Sequence, residues 1–212
     1  MQNKHRSLSD GDTRHIAHLY EDDSCLTKAV AEFIASGLHA GEPAIVLATQ
    51  AHTEAITAEL KSLRFNVKSA VSDGYLTLVD AMDALAIIMV GTKPDHDLFL
   101  ETMTGFIRQS RTIAERPVRI YGELVDLLWH QGNPEAAVRL EVLWNELGST
   151  SPFSLLCGYN LGNVYNQAYW QHFQNVCREH REVLAIERTG GLHRPRKVSM
   201  RRAAAAKPAR PL

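Results

Sequence analysis

The stretch PAIVLAT, Pro43 to Thr49, is an unbroken apolar run that follows Gly41-Glu42 and gives way to Gln50. A run of this length without polar alternation suits a strand buried on both faces, as in a parallel sheet. Downstream, HTEAITAELKSLR (His52–Arg64) places Ile56, Leu60 and Leu63 at helical spacing. Asp73-Gly74 then turns the chain into a second strand, YLTLVDA. Met82–Val90 reads as helix, and GTKPD breaks it. Asp95 is placed to cap a long helix carrying Phe99, Met103, Phe106, Ile107 and Ile113. A third strand runs from Val118 to about Tyr121. Asn133-Pro134 opens a helix in the favoured way, Leu140, Leu143, Trp144 and Leu147 face inward, and Gly148 is its expected end. PFSLLCGYN is a fourth strand and EVLAIER a fifth, with a helix marked by Tyr169, Phe173, Val176 and Cys177 between them.

Upstream, Asp22, Asp23 or Ser24 caps a helix carrying Leu26, Val30, Phe33, Ile34 and Leu38, with Gly37 and Gly41 as candidate stops. The short stretch before it, IAHLY, holds the β-favouring Ile16 and Tyr20 and reads as a strand or extended entry, an edge element of the sheet. Strands alternating with helices define βαβ units. The expected fold is therefore α/β: a doubly wound, largely parallel sheet with helices on both faces. Sites in such folds lie outside the carboxyl ends of the strands.

The 212 residues fit one domain, residues 15–190, between a polar arm (1–14) and a tail (191–212). The net charge of −1 conceals an asymmetry, because His193 to Leu212 holds seven Lys or Arg and no acid. The tail is expected to be disordered; it is also the one segment suited to nucleic acid or anionic lipid. Cys25, Cys157 and Cys177 are scattered and odd in number, which gives no disulfide framework and suits a reducing compartment. The N-terminus lacks the apolar core of a signal peptide, and the longest apolar run, Leu85–Val90, is too short to span a bilayer. A cytoplasmic protein without membrane contact is expected.

Several chemistries can be weighed on the residues. His15, His18, Asp22 and Cys25 would share a face on one unbroken helix and are all zinc-ligand types. Asp22-Asp23-Ser24 looks like a helix start, however, so the two histidines fall in an extended stretch and point to opposite faces. No metal and no cofactor are expected. A phosphate-binding loop needs GxxxxGK[ST], and after the strand at Ala44–Leu47 the chain reads LATQAHTEAI, without glycine or lysine. GxGxxG and GxSxG are absent, and the cysteines read as small buried hydrophobes. Glu123 follows a buried strand in RIYGELVDLLW, where Gly122 permits close approach. It either faces the crevice, caps the next helix, or pairs with an arginine such as Arg119. Tyr159 and Asn160, in CGYNLGNVYNQ, open toward the same crevice or form a hydrogen-bonded turn.

Taken in order, HIAHLYEDD, GLHAGEPAIVLAT, GYLTLVDA, RIYGELVDLLW and SLLCGYN resemble the MEDS domain, the sensory module of DcmR-type methylotroph and methanogen regulators, from about His15 to Ile186. The resemblance implies a RecA/KaiC-like fold that has lost its Walker motif. It also implies sensing or signal transduction beside histidine kinases or transcription regulators, with small hydrocarbon derivatives as ligands. The family's motif positions carry over to His15, Tyr20, Gly122, Glu123, Cys157 and Tyr159. On this basis His15, Tyr20, Glu123, Cys157 and Tyr159 are expected to line a ligand pocket, with no catalytic residue. No DNA-binding or kinase module accompanies them in this sequence, so output is expected to pass through a partner, the tail or self-association. The alternative is a residual nucleotide-binding or hydrolysing enzyme using Glu123.

Overall fold

The computed structural model describes residues 15–160, 170–180, 182–189 and 192–198. Six parallel strands form its centre, in the order β3-β2-β6-β7-β1-β8, and β9 pairs antiparallel with β8 at one edge. They are β1 (His15–Tyr20), β2 (Ala44–Ala48), β3 (Leu76–Asp80), β6 (Val118–Gly122), β7 (Phe153–Asn160), β8 (Glu182–Thr189) and β9 (Leu192–Val198). A two-residue hairpin, β4 (Met89–Val90) with β5 (Lys93–Pro94), stands apart.

The PAIVLAT run becomes β2, and all five of its residues are buried. One face of the sheet is covered by α1 (Asp23–His39), α2 (Gln50–Ser62) and α3 (Val67–Ser72). The other is covered by α4 (Ala81–Ile88), α5 (His96–Ile113), α6 (Leu124–His130), α7 (Pro134–Thr150) and α8 (Trp170–Glu179). Alternate residues of the central strands feed two cores. Ile16, Tyr20, Val46, Tyr121 and Leu156 enter the first. Ala17, Leu19, Leu47, Leu155, Cys157 and Tyr159 enter the second. This is the doubly wound α/β arrangement expected from the sequence.

The helix starts follow the capping residues. Asp22, Asn66, Asp80, Asp95 and Asn133 each accept a backbone N–H with the side chain. Gly41 follows α1 at φ +74, a left-handed conformation that favours glycine.

Four expectations are corrected. His15–Tyr20 is not an edge element: β1 lies between β7 and β8, in register His15↔Leu155 and Ile16↔Glu182, and all six residues are buried. Gly148 does not end α7, which runs to Thr150; a Cβ at Gly148 would meet Phe153 only at ordinary contact distance. The tail is not disordered from residue 191, because Leu192–Val198 forms β9; residues 199–212 lie outside the described ones, as does Tyr169. Gly37, a candidate stop, sits within α1 and serves packing instead. A Cβ there would lie 2.4 Å from Arg119 Cγ. The Arg119 stem passes over it to place Nε 2.5 Å from Glu42 and the guanidinium 5.0 Å above the Phe33 ring. Arg119 is thereby engaged away from Glu123.

Candidate functional site

The five residues singled out in the sequence fall into two groups on opposite faces of the sheet. The first lies at the carboxyl edge. Gly122 ends β6, and Glu123 follows as the residue before α6, buried and not capping that helix with its side chain. Its carboxylate turns instead toward α2. The backbone N–H of Thr49, at the start of α2, donates to Oε1, and His52 Nδ1 lies 2.5 Å from Oε2. The Tyr121 hydroxyl reaches the same Oε2 at 3.4 Å. The hydrogen bond it donates to Glu123, opposed in part by burial, raises the His52 pKa above its ordinary value. The shift favours an imidazolium against a carboxylate.

Tyr20 reaches this edge from β1. Its hydroxyl donates to Asp126 Oδ2 at 3.0 Å, and the Asn160 N–H donates to Asp126 Oδ1 at 3.1 Å. Burial raises the Asp126 pKa, although these hydrogen bonds and His130 oppose it. Between β1 and α1 the edge carries Glu21, Asp22 and Asp23, with Asp23 3.8 Å from His52. A helix N-terminus attracts anions. Here the start of α2 is already met by the protein's own carboxylate, and the start of α1 is flanked by acids.

The second group is buried on the α7–α8 face. His15 begins β1, and Cys157 and Tyr159 project from β7. They meet Glu141 of α7 and His180, just past α8. His15 Nε2 is 2.9 Å and His180 Nε2 is 3.4 Å from the same oxygen, Glu141 Oε2. The Cys157 thiol lies 3.5 Å from His15 Nε2 and 3.9 Å from that oxygen. The Tyr159 hydroxyl donates to Glu141 Oε1. Burial pushes His180 down to about 4. Burial opposes the charged form of His15 too, but Glu141 and Asn145 raise it overall. Glu141 is held down to about 2, because the two histidines and Tyr159 outweigh its burial. Burial, then Glu141, pushes the Cys157 thiol well up, which favours the neutral thiol over the thiolate. His15, Glu141, Cys157 and His180 could together hold a metal ion. The quartet weighed from the sequence does not assemble. His18 is buried on the face opposite His15, and neither ring nitrogen meets a hydrogen-bond partner among the described residues. Asp22 caps α1, and Cys25 is half-buried.

Three contributors, His52, Glu141 and His180, escaped the sequence reading. Glu141 carried a signal: it lies three residues before Trp144 and four after Ala137, on the apolar stripe of α7, where a charged residue needs a partner. His52 carried only its place in the first turn after a strand.

The parallel sheet and the two helical layers, with a turn after β2 that holds no glycine, define an α/β domain of KaiC-like fold. A KaiC-like protein from the hyperthermophilic archaeon Pyrococcus horikoshii OT3 superposes with a TM-score of 0.55 at 15% identity, covering 86% of this chain and 76% of that one. At that identity the likeness concerns the fold. The model of the MEDS family, the methanogen/methylotroph, DcmR sensory domain, matches residues 14–180, and the chain belongs to that family. No curated protein matches it. Among the described residues, no helix is long and apolar enough to cross a membrane.

Proposed function

We propose that this MEDS domain is a cytoplasmic, non-enzymatic sensor. It binds a small molecule, or a polar group of a partner protein, at the carboxyl edge around Tyr20, His52, Glu123 and Asp126. It passes the signal to a regulator such as a histidine kinase or a transcription factor. The observation that carries this reading is the placement of the Glu123 carboxylate on the Thr49 N–H and against His52. An internal anion there competes with any phosphate, while Glu21, Asp22 and Asp23 repel one from the neighbouring turn.

The same contacts give a ligand something to act on. Glu123 joins the β6–α6 turn to α2, and Asp126 joins β1 to the end of β7. A ligand that bonds to Glu123 or His52 better in an opened arrangement shifts the population toward it by that difference in affinity. His15, Cys157 and Tyr159 lie on the other face and are not assigned to this ligand. The test is thermal stability across small polar and apolar metabolites, with ATP·Mg²⁺ included. A compound that raises Tm in the wild type and not in Glu123→Gln supports the reading. A flat response to every metabolite, with no partner recovered on the intact edge and lost in Glu123→Gln, contradicts it.

The His52–Glu123 pair also suits a general base, which favours residual nucleotide hydrolysis as a second reading. Turnover of ATP that disappears in Glu123→Gln would establish it.

A further inference from the structure

The buried group on the α7–α8 face has a feature its hydrogen bonds leave unresolved. Asn145 Nδ2 donates to the Glu179 carbonyl and carboxylate, each at 2.9 Å, so its Oδ1 faces His15 Nδ1 at 2.9 Å. His15 Nδ1 is therefore the protonated nitrogen. His180 Nδ1 likewise faces the Val176 carbonyl, at 2.7 Å. Both rings thus have Nδ1–H engaged and aim Nε2 at one oxygen, Glu141 Oε2. His180 Nε2 is buried and makes no hydrogen bond among the described residues. Two imidazole lone pairs and a carboxylate lone pair converge, with a thiol beside them. A proton on His15 answers one contact and leaves the His180 contact unanswered; a single cation answers all of them.

We propose that His15, Glu141, Cys157 and His180 form a closed, four-ligand site for a divalent transition-metal ion of the zinc type. Zinc bonds of about 2.0–2.3 Å at tetrahedral angles separate ligand atoms by about 3.3–3.6 Å. Four of the six separations here run from 2.9 to 3.9 Å, and all six are within 4.8 Å. Sulfur with two imidazoles selects zinc and its neighbours over magnesium or calcium. On binding, the thiol proton, and any proton on His15 Nε2, leaves to solvent as the metal bonds form. One thiolate and one carboxylate then balance the two positive charges in a site where every ligand is buried. Asn145 and the Val176 carbonyl orient the two rings, and the Tyr159 hydroxyl holds the free carboxylate oxygen, the outer contacts such sites use. With no fifth position needed, the ion ties β1, β7, α7 and the end of α8 together and does no chemistry. This site is on the opposite face from the carboxyl-edge cluster and stands or falls without it.

The test uses the full chain, stripped with a chelator and titrated with Co²⁺, then Zn²⁺. One equivalent of Co²⁺ is expected to give the intense visible bands of a tetrahedral ion and a thiolate-to-cobalt charge-transfer band, both erased by one equivalent of Zn²⁺. The charge-transfer band should vanish in Cys157→Ser and persist in the double variant Cys25→Ser, Cys177→Ala. Asn145→Ala should weaken binding about 10–100-fold while keeping the spectrum. If Cys157→Ser does not fold by circular dichroism, the double variant decides: a retained band supports the site and a lost band overturns it. Absence of stoichiometric binding to the wild type, an octahedral spectrum, or an unchanged band in folded Cys157→Ser also overturns it.

Discussion

The His52 imidazole lies 2.5 Å from Glu123 Oε2, joining residues 71 apart in the chain at the carboxyl edge of the sheet. The hydrogen bond that His52 donates to Glu123 raises the His52 pKa above 6.5 against the pull of burial. A raised folded-state value means that the pair's contribution is fully present below about pH 6.5 and is lost as pH rises through the folded value. Stability of the wild type should therefore fall across that window. Glu123→Gln should flatten the fall, return His52 to a lower titration midpoint by NMR, and cost about 1–3 kcal/mol in urea unfolding, because the Thr49 N–H and His52 keep a weaker partner. A His52 midpoint unchanged in the variant would remove the pair from the account.

His18 predicts the opposite slope. It is 1% exposed and burial lowers its pKa to about 4. The unfolded chain binds its proton near pH 6.5 and the folded chain does not, so stability drains away as pH falls from about 6.5 to about 4, by about 3 kcal/mol. His180 adds to the same acid limb, so the informative quantity is a difference. His18→Leu should flatten the limb relative to wild type in Tm measured from pH 7 to pH 4. Parallel limbs would show that His18 takes up its proton inside the fold.

The Tyr20–Asp126 bond links β1 to the first turn of α6. Tyr20→Phe leaves a buried carboxylate with one donor fewer and should cost about 1–3 kcal/mol. Asp126→Asn should cost less in the Tyr20→Phe background than alone, and a double-mutant cycle measures that coupling. Additive losses would mean the two groups do not communicate.

Gly37→Ala tests the Arg119 passage over α1. The new methyl would press on the Arg119 stem close to its backbone, not on a mobile end. A loss of about 1–3 kcal/mol is expected in denaturant unfolding, partly recovered by shortening Arg119 to Ala in the same chain. A neutral Gly37→Ala would mean that the Arg119–Glu42 pair shifts freely.

Most of the fold was legible because its strands are short apolar runs between capped amphipathic helices. PAIVLAT and SLLCGYN declare themselves by continuous apolarity, and Asp95 and Asn133 by capping chemistry. The strand β1 misled because a central position normally excludes histidine. Here His15 is matched by Glu141 and Asn145, partners far away in the chain, and His18 is buried without compensation among the described residues. The same long-range matching hid the site. Tyr20 and Glu123 do reach the carboxyl edge, but His15 starts β1 at its amino end, and period-two alternation turns Cys157 and Tyr159 to the α7 face. Tertiary placement, not local pattern, divides those five residues between two faces.

The central claim is that the protein's own carboxylate holds the start of α2 and leaves no seat for a triphosphate. Crystals of the full chain grown with saturating ATP·Mg²⁺ test it most directly. The account predicts Glu123 still bonded to the Thr49 N–H and His52, with no nucleotide at that edge. A phosphate group in the place of the Glu123 carboxylate, shortening to a diphosphate with time, would contradict it.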